Sequence, residues 1–448
     1  MEACRERISI IVNNLRKIGI VLFWLLVWQL LAMLVDNPIL FVTPWQTVCA
    51  LVGLLTEAVF WRTVCMSLLR ITAGFVLGML MGLLLALLSK RYSLIEALLA
   101  PIITLCKTVP VAVFVVLLLI WWGSSVLAVA ICFLIVLPII YISTLEGLKS
   151  TDKKLLEMAK VFEFPKATKF FYIYRPALKS FLSSGLKQAL GMCWKSGVAA
   201  EVIGTPAFSI GEQLYLSKIH LNTSEVFAWA AVIILLSVGF ERLVLWLTGE
   251  FWKWEPACGR KVRKDTAKQV LGYCPRDVKL CVENVSKSYD SQTVIRNLNA
   301  VYEGGETYYL TTPSGSGKTT LLRIMCGLEM PDEGKVDSGL SYGMVFQEDR
   351  LCEDYSALRN VEMVTGSNER ARKALEQLLN ADALHKPCCQ LSGGMKRRVA
   401  LVRAMESESD CVLLDEPFTG MDADTRLRAE AYIKERQRGR ILIVATHI

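Results

Sequence analysis

The chain has 448 residues, of which 53% are hydrophobic, with 50 Lys and Arg against 42 Asp and Glu for a net charge of +8. A mean hydropathy of +0.40 excludes an ordinary soluble protein. The basic residues fall in loops beside apolar runs rather than in one patch, which excludes a nucleic-acid binder.

Such a length holds two domains or more. Composition divides the chain near Lys253, with long apolar runs before it and ordinary charged sequence after it. The 14 cysteines lie mostly inside apolar runs without paired C-x2-C spacing, so they read as reduced core residues. The first apolar run is too long for a cleavable signal, and no small-residue cleavage site follows it.

Met1–Lys17 is short and basic. Six spans of near-membrane length then follow: Ile18–Val35, Val64–Leu88, Leu94–Ile120, Val126–Leu145, Leu178–Val202 and Val226–Leu247. Lys and Arg concentrate in Ser89–Arg91, in Glu146–Pro176 and after Thr248, whereas the alternate loops hold only Arg62 and Lys218. The positive-inside rule places the basic loops, the N-terminus and everything after Thr248 in the cytoplasm. Pro110 interrupts the third span and Pro138 the fourth. Lys107, Lys195 and Glu201 sit at membrane depth, where ionisable groups are expensive. Either they line a translocation path, or Lys195 and Glu201 snorkel or form a structural pair.

Between the fourth and fifth spans, Glu157–Pro176 carries helical periodicity, aromatics and a terminal proline. It reads as an amphipathic helix lying against something. Ala257–Cys274 is polar and basic without a clear period, as a linker is.

The soluble half begins with the alternating strand Val278–Tyr289. Tyr289 is expected just beyond it, in a loop, either stacking on an adenine or standing as a surface tyrosine. Tyr308–Leu310 reads as a buried strand leading into Thr312-Pro-Ser-Gly-Ser-Gly-Lys-Thr-Thr320 and a helix. Strand, Gly-rich loop, Lys-Thr and helix form the phosphate-cradling P-loop. Gly315 and Gly317 let backbone N–H groups turn towards an anion, and the helix N-terminus adds its dipole. Lys318 can reach terminal phosphates, and the Thr319 hydroxyl can sit on Mg2+. Thr312 stands where the pattern begins with Gly, a costly exchange if that site needs positive φ.

Ser341–Gln347 is another short strand, followed by a charged helical region, Tyr355–Leu384. Ser392 has N-cap chemistry for the next helix, and Gly393-Gly394 leave N–H groups free to meet an anion, with Lys396, Arg397 and Arg398 adding charge nearby. Cys411–Pro417 is a buried strand ending in Asp415-Glu416. One acid there can hold Mg2+ through water while its neighbour polarises an attacking water. Ile441–Thr446 is a last apolar strand, with His447 at its end.

From Tyr289 to His447 this order of motifs resembles the nucleotide-binding domain of ABC transporters. The stretch Glu157–Pro176 resembles the E-A-A-x3-G-x9-I-x-L-P loop of binding-protein-dependent ABC importer permeases. Glu157, Ala159, Ile173 and Pro176 match it; Glu163 replaces its Gly, and Arg175 stands where Leu is common. Trp194–Gly204 and Ser209–Tyr215 are similar to permeases for nitrate, sulfonates and taurine.

The resemblance implies a fold: an all-α polytopic membrane domain of about six transmembrane helices, then an α/β P-loop ABC ATPase domain. Its bounds would be 1–255 for the permease, 256–277 for a linker and 278–448 for an ATPase domain. That last domain is expected to be truncated, because the chain stops one residue after His447. ATP and Mg2+ are the implied cofactors. Tyr289 would stack on adenine, and Ser314, Gly315, Ser316, Gly317, Lys318, Thr319 and Thr320 would bind phosphate. Thr319, Gln347 and Asp415 would serve the metal, Gln347 would also touch the coupling loop that carries Glu157, Ala159, Ile173 and Pro176, Glu416 would be the general base, and His447 would hold the γ-phosphate and water. Ser392, Gly393 and Gly394 would contact the γ-phosphate bound by an opposite subunit, with Asp422 at the subunit contact. Met395 stands where that signature usually has Gln.

The expected activity is ATP-driven import of a small solute across the plasma membrane. The solute would be an organic or inorganic anion such as a sulfonate, taurine or nitrate. The expected partners are a second copy or a separate ATPase subunit, an extracytoplasmic solute-binding protein and the lipid bilayer, with no nucleic acid. The competing expectation is a membrane-anchored nucleotide sensor that hydrolyses little. Short inner loops speak against an exporter.

Overall fold

The computed structural model describes residues 2–253, 278–289, 292–313, 315–337 and 339–446. The expected linker 256–277 and the site residues Ser314 and His447 lie outside the described residues. The chain forms two compact units, one of Met1–Lys149 with Leu178–Lys253, the other of Ser150–Ala177 with Trp254–Ile448.

The first unit is helical. It begins with α1 (Glu2–Val35), α2 (Pro44–Leu55), α3 (Ala58–Arg91), α4 (Ser93–Thr108), α5 (Val111–Trp122) and α6 (Ser124–Lys149). Gly74, Gly78 and Gly82 recur every fourth residue along α3, so they share one face. A Cβ on Gly74 would stand 2.5 Å from the Val129 carbonyl oxygen, and one on Gly78 would stand 2.9 Å from Val136 Cβ. This glycine face lets the backbones of α3 and α6 meet, which is how helices pack in lipid without a hydrophobic drive. Around the seam Ile71, Phe75, Val136 and Ile140 are buried, with Trp194 against them.

Among the described residues four helices are long and apolar enough to cross a membrane, and a bent pair would make five, against the six spans expected. Two causes account for the difference. The expected third span, Leu94–Ile120, is α4 and α5 bent by 103° at Val109-Pro110, where proline cannot continue the helix. The expected fifth span lies in α9 (Arg175–Gly204), a helix too polar to qualify, since it carries Lys179, Lys187, Lys195 and Glu201. Two further helices complete this unit, α10 (Ile210–Ile219) and α11 (Thr223–Lys253).

The second unit starts with α7 (Lys153–Val161) and α8 (Lys166–Lys169), then a π-helical turn, Phe170–Tyr174. Asp152 caps α7 by accepting from the Lys154 N–H. The strands β1 (Lys279–Tyr289), β2 (Gln292–Glu303) and β4 (Glu333–Asp337) form an antiparallel sheet with β1 in the centre. Tyr289 is the last residue of β1, opposite Gln292, rather than part of a loop. A parallel sheet in the order β3-β7-β6-β5 uses β3 (Thr307–Leu310), β7 (Ile441–Ala445), β6 (Cys411–Asp415) and β5 (Tyr342–Val345). Strands β5, β6 and β7 are buried throughout, as continuous apolar runs in a parallel sheet require. The helices are α12 (Lys318–Met325), α13 (Ala357–Thr365), α14 (Asn368–Leu375), α15 (Ala381–Leu384), α16 (Gly393–Met405) and α17 (Ala423–Arg436). Met158, Ala159, Phe162, Tyr172 and Ile173 belong to the same hydrophobic core as the parallel sheet.

Candidate nucleotide site and the helix docked beside it

Parallel register decides which loops meet. Leu310 of β3 pairs with Ala445 of β7, which pairs with Asp415 of β6, while Val345 of β5 pairs with the adjacent Leu414. All four strands therefore end on one edge, and ligands of open α/β sheets bind outside those carboxyl ends. The loop 311–317, the pair Asp415-Glu416 and Gln347 all follow directly from these ends.

Gly315 has φ +81 and Gly317 φ +86, conformations that favour glycine. A Cβ on Gly317 would also stand 2.5 Å from Val294 Cγ1. Thr312 is not among the positive-φ residues, so its side chain costs no left-handed strain. Its hydroxyl lies 2.6 Å from the Ser316 hydroxyl, which braces the loop. Lys318 is largely buried and donates to the Thr312 and Pro313 carbonyls, closing the loop over its own ammonium. The first N–H groups of α12 have no acceptor within the helix, as at any helix start, which leaves them for an anion.

The Thr319 hydroxyl donates to Asp415 Oδ2 at 2.9 Å. Burial pushes the Asp415 carboxyl above its ordinary range, while the Thr319 hydroxyl pulls the other way. A cavity of about 480 Å³ brings Thr319, Gln347 and Asp415 together, with Arg323 and Glu348 on its wall. A hydroxyl and one carboxylate are hard oxygen donors, and they fit a Mg2+ that keeps waters and phosphate oxygens for its other positions.

Glu416 has φ +49. Its N–H donates to the Ala445 carbonyl at 2.9 Å, and Thr419 Oγ1 lies 3.3 Å from its carboxylate. Tyr289 is 44% exposed, its hydroxyl donates to Glu329, and Lys287 Nζ lies 5.7 Å from its ring centroid. Ser392 caps α16 by accepting from the Met395 N–H, and Gly394 packs so close to Gly420 that a Cβ would stand 2.6 Å from its carbonyl oxygen. Ser392, Gly393 and Gly394 do not line the cavity that holds Thr319 and Asp415. Asp422 stands at the N-cap position of α17.

The basic run after Gly394 is taken up by acceptors of the chain itself. Lys396 pairs with Glu353 at 2.8 Å, Arg398 donates to the Gly394 and Leu378 carbonyls, and Arg397 is buried on carbonyl oxygens of the strand ends. Sequence reasoning assigns Arg397 only nearby charge, because a guanidinium turned inward looks the same in sequence as one turned outward.

The expected amphipathic stretch docks beside the site. Glu157 accepts from Arg323 Nη1 at 3.0 Å, Arg323 Nη2 at 3.1 Å and Arg350 Nη1 at 2.8 Å. The Arg323 bonds hold its carboxyl below the ordinary range, Arg350 assists, and partial burial opposes. Arg323 sits in α12, directly after the phosphate loop, and also meets Glu329, the partner of Tyr289. Ala159 and Ile173 are buried, and Pro176 lies in the first turn of α9. Lys154 pairs with Glu348 at 2.6 Å, and Lys160 Nζ donates to the Gly327 carbonyl at 2.7 Å. Arg175, where Leu is common, is buried and donates to the Tyr355 hydroxyl at 3.2 Å. The chain turns sharply after α7 although Glu163 stands where the loop pattern has glycine: Glu163 adopts φ +50, and the Phe164 N–H reaches the Ala159 carbonyl at 2.9 Å.

In the helical unit Glu201 is fully buried, and it meets Ser67 and Arg70 of α3 and the Gly211 N–H of α10, at 3.4 Å, rather than Lys195. Ser67 donates to Glu201 Oε2 at 2.7 Å, and Arg70 lies 3.9 Å from Oε1 while donating to the Ala207 and Phe208 carbonyls. The cluster pins the loop 205–209, where Thr205 and Phe208 both have positive φ. Lys107 and Lys195 are exposed.

Comparison with known proteins agrees with both units. Residues 295–419 match the family profile described as ABC transporter, and residues 74–249 match the binding-protein-dependent transport system inner membrane component. An aliphatic sulfonates import ATP-binding protein of Rhodococcus jostii is 37% identical over 199 residues, covering 43% of this chain and 73% of that protein. A taurine import ATP-binding protein of Pseudomonas aeruginosa is 34% identical over 191 residues, covering 38% and 73%. Among solved structures, an ATP-binding cassette in a post-hydrolysis state bound to ADP and Pi is 28% identical, covering 38% of this chain and 88% of that one with a TM-score of 0.35.

Proposed function

This chain belongs to the ABC transporter family and joins an inner-membrane permease domain to an ATP-binding domain; from that premise we propose that it imports a small anion delivered by an external binding protein. The relatives' names support an aliphatic sulfonate or taurine as the solute, with nitrate a related alternative. The observation that carries the reading is the docking of α7. A stretch from the permease half of the sequence shares the core of the ATPase sheet and makes three guanidinium–carboxylate bonds to Arg323 of α12 and to Arg350. A nucleotide sensor has no use for such a lever, and the unstrained Thr312 removes the main objection to an active phosphate loop.

In this reading ATP phosphates enter the loop 312–320, and Lys318 exchanges loop carbonyls for phosphate oxygens. Bound Mg2+, held by Thr319 with Asp415 and Gln347, would supply charge to the transferring phosphoryl group. Glu416 accepts the proton of the attacking water, and His447 holds that water against the γ-phosphate. Most of the acceleration is then positioning and charge stabilisation. Tyr289 stacks on the adenine, and Ser392–Gly394 of one copy, or of a separate ATPase subunit, close on the nucleotide held by the other. Arg323 carries that closure to Glu157, and α7 carries it through Ile173 and Pro176 into α9. The ATPase side faces the cytoplasm, as the basic loops indicate. Lys107 and Lys195 are the candidate solute-path residues, while Glu201 serves the 205–209 loop.

Proteoliposomes carrying Glu416→Gln, supplied with the cognate binding protein, test the mechanism. Nucleotide binding should persist while hydrolysis and uptake fall by about 100-fold or more. Uptake at the normal rate would remove Glu416 from its role.

A further inference from the structure

We propose that Arg397 is a positioning residue for ATP hydrolysis, holding the strand ends that carry Gln347 and Asp415-Glu416 in one fixed arrangement. The proposal rests on Glu416 being the general base. Arg397 stands on the first turns of α16 yet is only 3% exposed. Its guanidinium is turned into the chain and acts as a three-way clamp. Nη1 donates to the Phe346 carbonyl at 2.6 Å, the Gln347 carbonyl at 3.3 Å and Asp349 Oδ1 at 3.1 Å. Nη2 donates to the Asp415 carbonyl and, at 2.6 Å, to the Glu416 carbonyl, which Nε also reaches at 3.1 Å.

The grip matters most at Glu416. A non-glycine residue at φ +49 is strained, and such a conformation lasts only where its surroundings over-determine it. Anchors on both sides of the residue do so here. The Ala445 carbonyl takes the Glu416 N–H; the Glu416 carbonyl accepts from Arg397 through two nitrogens and, within the short turn that follows, from the Thr419 N–H at 3.3 Å and the Thr419 hydroxyl at 3.1 Å. Of these, Arg397 alone ties that carbonyl to α16, so losing it lets the turn shift and swings the carboxylate off its line. The same guanidinium fixes the backbone at Gln347, so both groups that flank Thr319 depend on one side chain. Lysine cannot replace it: an ammonium is a point donor, whereas this site uses the planar fork in two directions.

The experiment uses the full chain in detergent or nanodiscs and compares Arg397→Lys and Arg397→Gln, alone and with Glu416→Gln. With Mg-ATP as the probe, Arg397→Lys should lower kcat about 10- to 100-fold with KM for ATP within about threefold, as expected when a reacting group is displaced but the nucleotide contacts are not. In the Glu416→Gln background, Arg397→Lys should add no further loss to single-turnover hydrolysis. Independent, multiplying losses overturn the positioning role, and so does a raised KM with unchanged kcat. If one substitution fails to fold, as judged by thermal unfolding, the other supplies the same comparison. Wild-type hydrolysis by Glu416→Gln alone would refute the general-base assignment itself, a result separable from any outcome at Arg397.

Discussion

Replacing Glu157 by alanine should undock α7 while leaving its helix intact. The carboxylate takes three N–H groups from two arginines at 2.8–3.1 Å, each bond charge-assisted. Buried bonds of that kind are worth about 1.5–3 kcal/mol apiece. The Glu157 side chain is 32% exposed, so water recovers part of the loss and screening takes more. The net cost of Glu157→Ala is then about 1–3 kcal/mol, with Glu157→Gln nearer the lower end because it keeps one acceptor. Alanine is the better helix former, so any loosening reports lost docking rather than lost helicity. Hydrogen exchange across 153–161 is the direct assay, and protection should fall about 5- to 150-fold if docking limits exchange. In vesicles the same variant should hydrolyse ATP with less uptake per turnover. Unchanged protection in Glu157→Ala would refute the reasoning, since the bonds would then contribute nothing to holding the helix.

Acid should act on the same contact. The Glu157 carboxyl is held below its ordinary value, so its contribution is complete above the unfolded value of about 4.3 and is lost as pH falls through the lowered folded one. Protection of α7, corrected for intrinsic exchange, should therefore hold from pH 7 to about pH 4.5, and a loss beginning near pH 6 would contradict the assignment. Glu163→Gly removes a side chain from φ +50 and should stabilise the second unit by about 0.5–1 kcal/mol, a rise of roughly 1–4 °C in Tm. A lower Tm would mean the Glu163 side chain makes a contact worth more than the strain. Glu201→Ala takes the acceptor from the buried Ser67 hydroxyl and the counter-charge from Arg70, which keeps its two carbonyls, so the full chain in detergent should lose about 1–3 kcal/mol, read as a lower unfolding temperature. Glu201→Gln keeps the Ser67 bond and should lose less.

Local chemistry was the legible part. Gly315, Gly317, Lys318 and Thr319 announce a phosphate loop because the turn and the helix start that they need are both set within a few residues. The strands Cys411–Asp415 and Ile441–Ala445 were readable as unbroken apolar runs, and β order then carries Asp415 to Thr319. Long-range pairings were not readable. Glu201 finds Ser67 at a separation of 134 residues, and no periodicity reports that. Pro110 announces an interruption but not its 103° angle, which depends on where the following helix packs. Glu163 stands where the loop pattern has glycine, and the sequence does not show that the buried residues Ala159, Phe162 and Phe164 flank a tight turn there despite the strain. Arg397 was misjudged for a related reason: its carbonyl partners come from two strands far apart in the chain.

Residues 150–177 share a compact unit with the ATPase sheet although the intervening sequence folds elsewhere. A soluble fragment cut at the obvious boundary near residue 278 would lose Met158, Phe162, Tyr172 and Ile173 from its interior. It would emerge with a greasy hollow, and with Arg323 and Arg350 stripped of the carboxylate they share, prone to clump. Supplying the missing stretch as a separate peptide would fill the hollow, so the lever could be studied as a removable part.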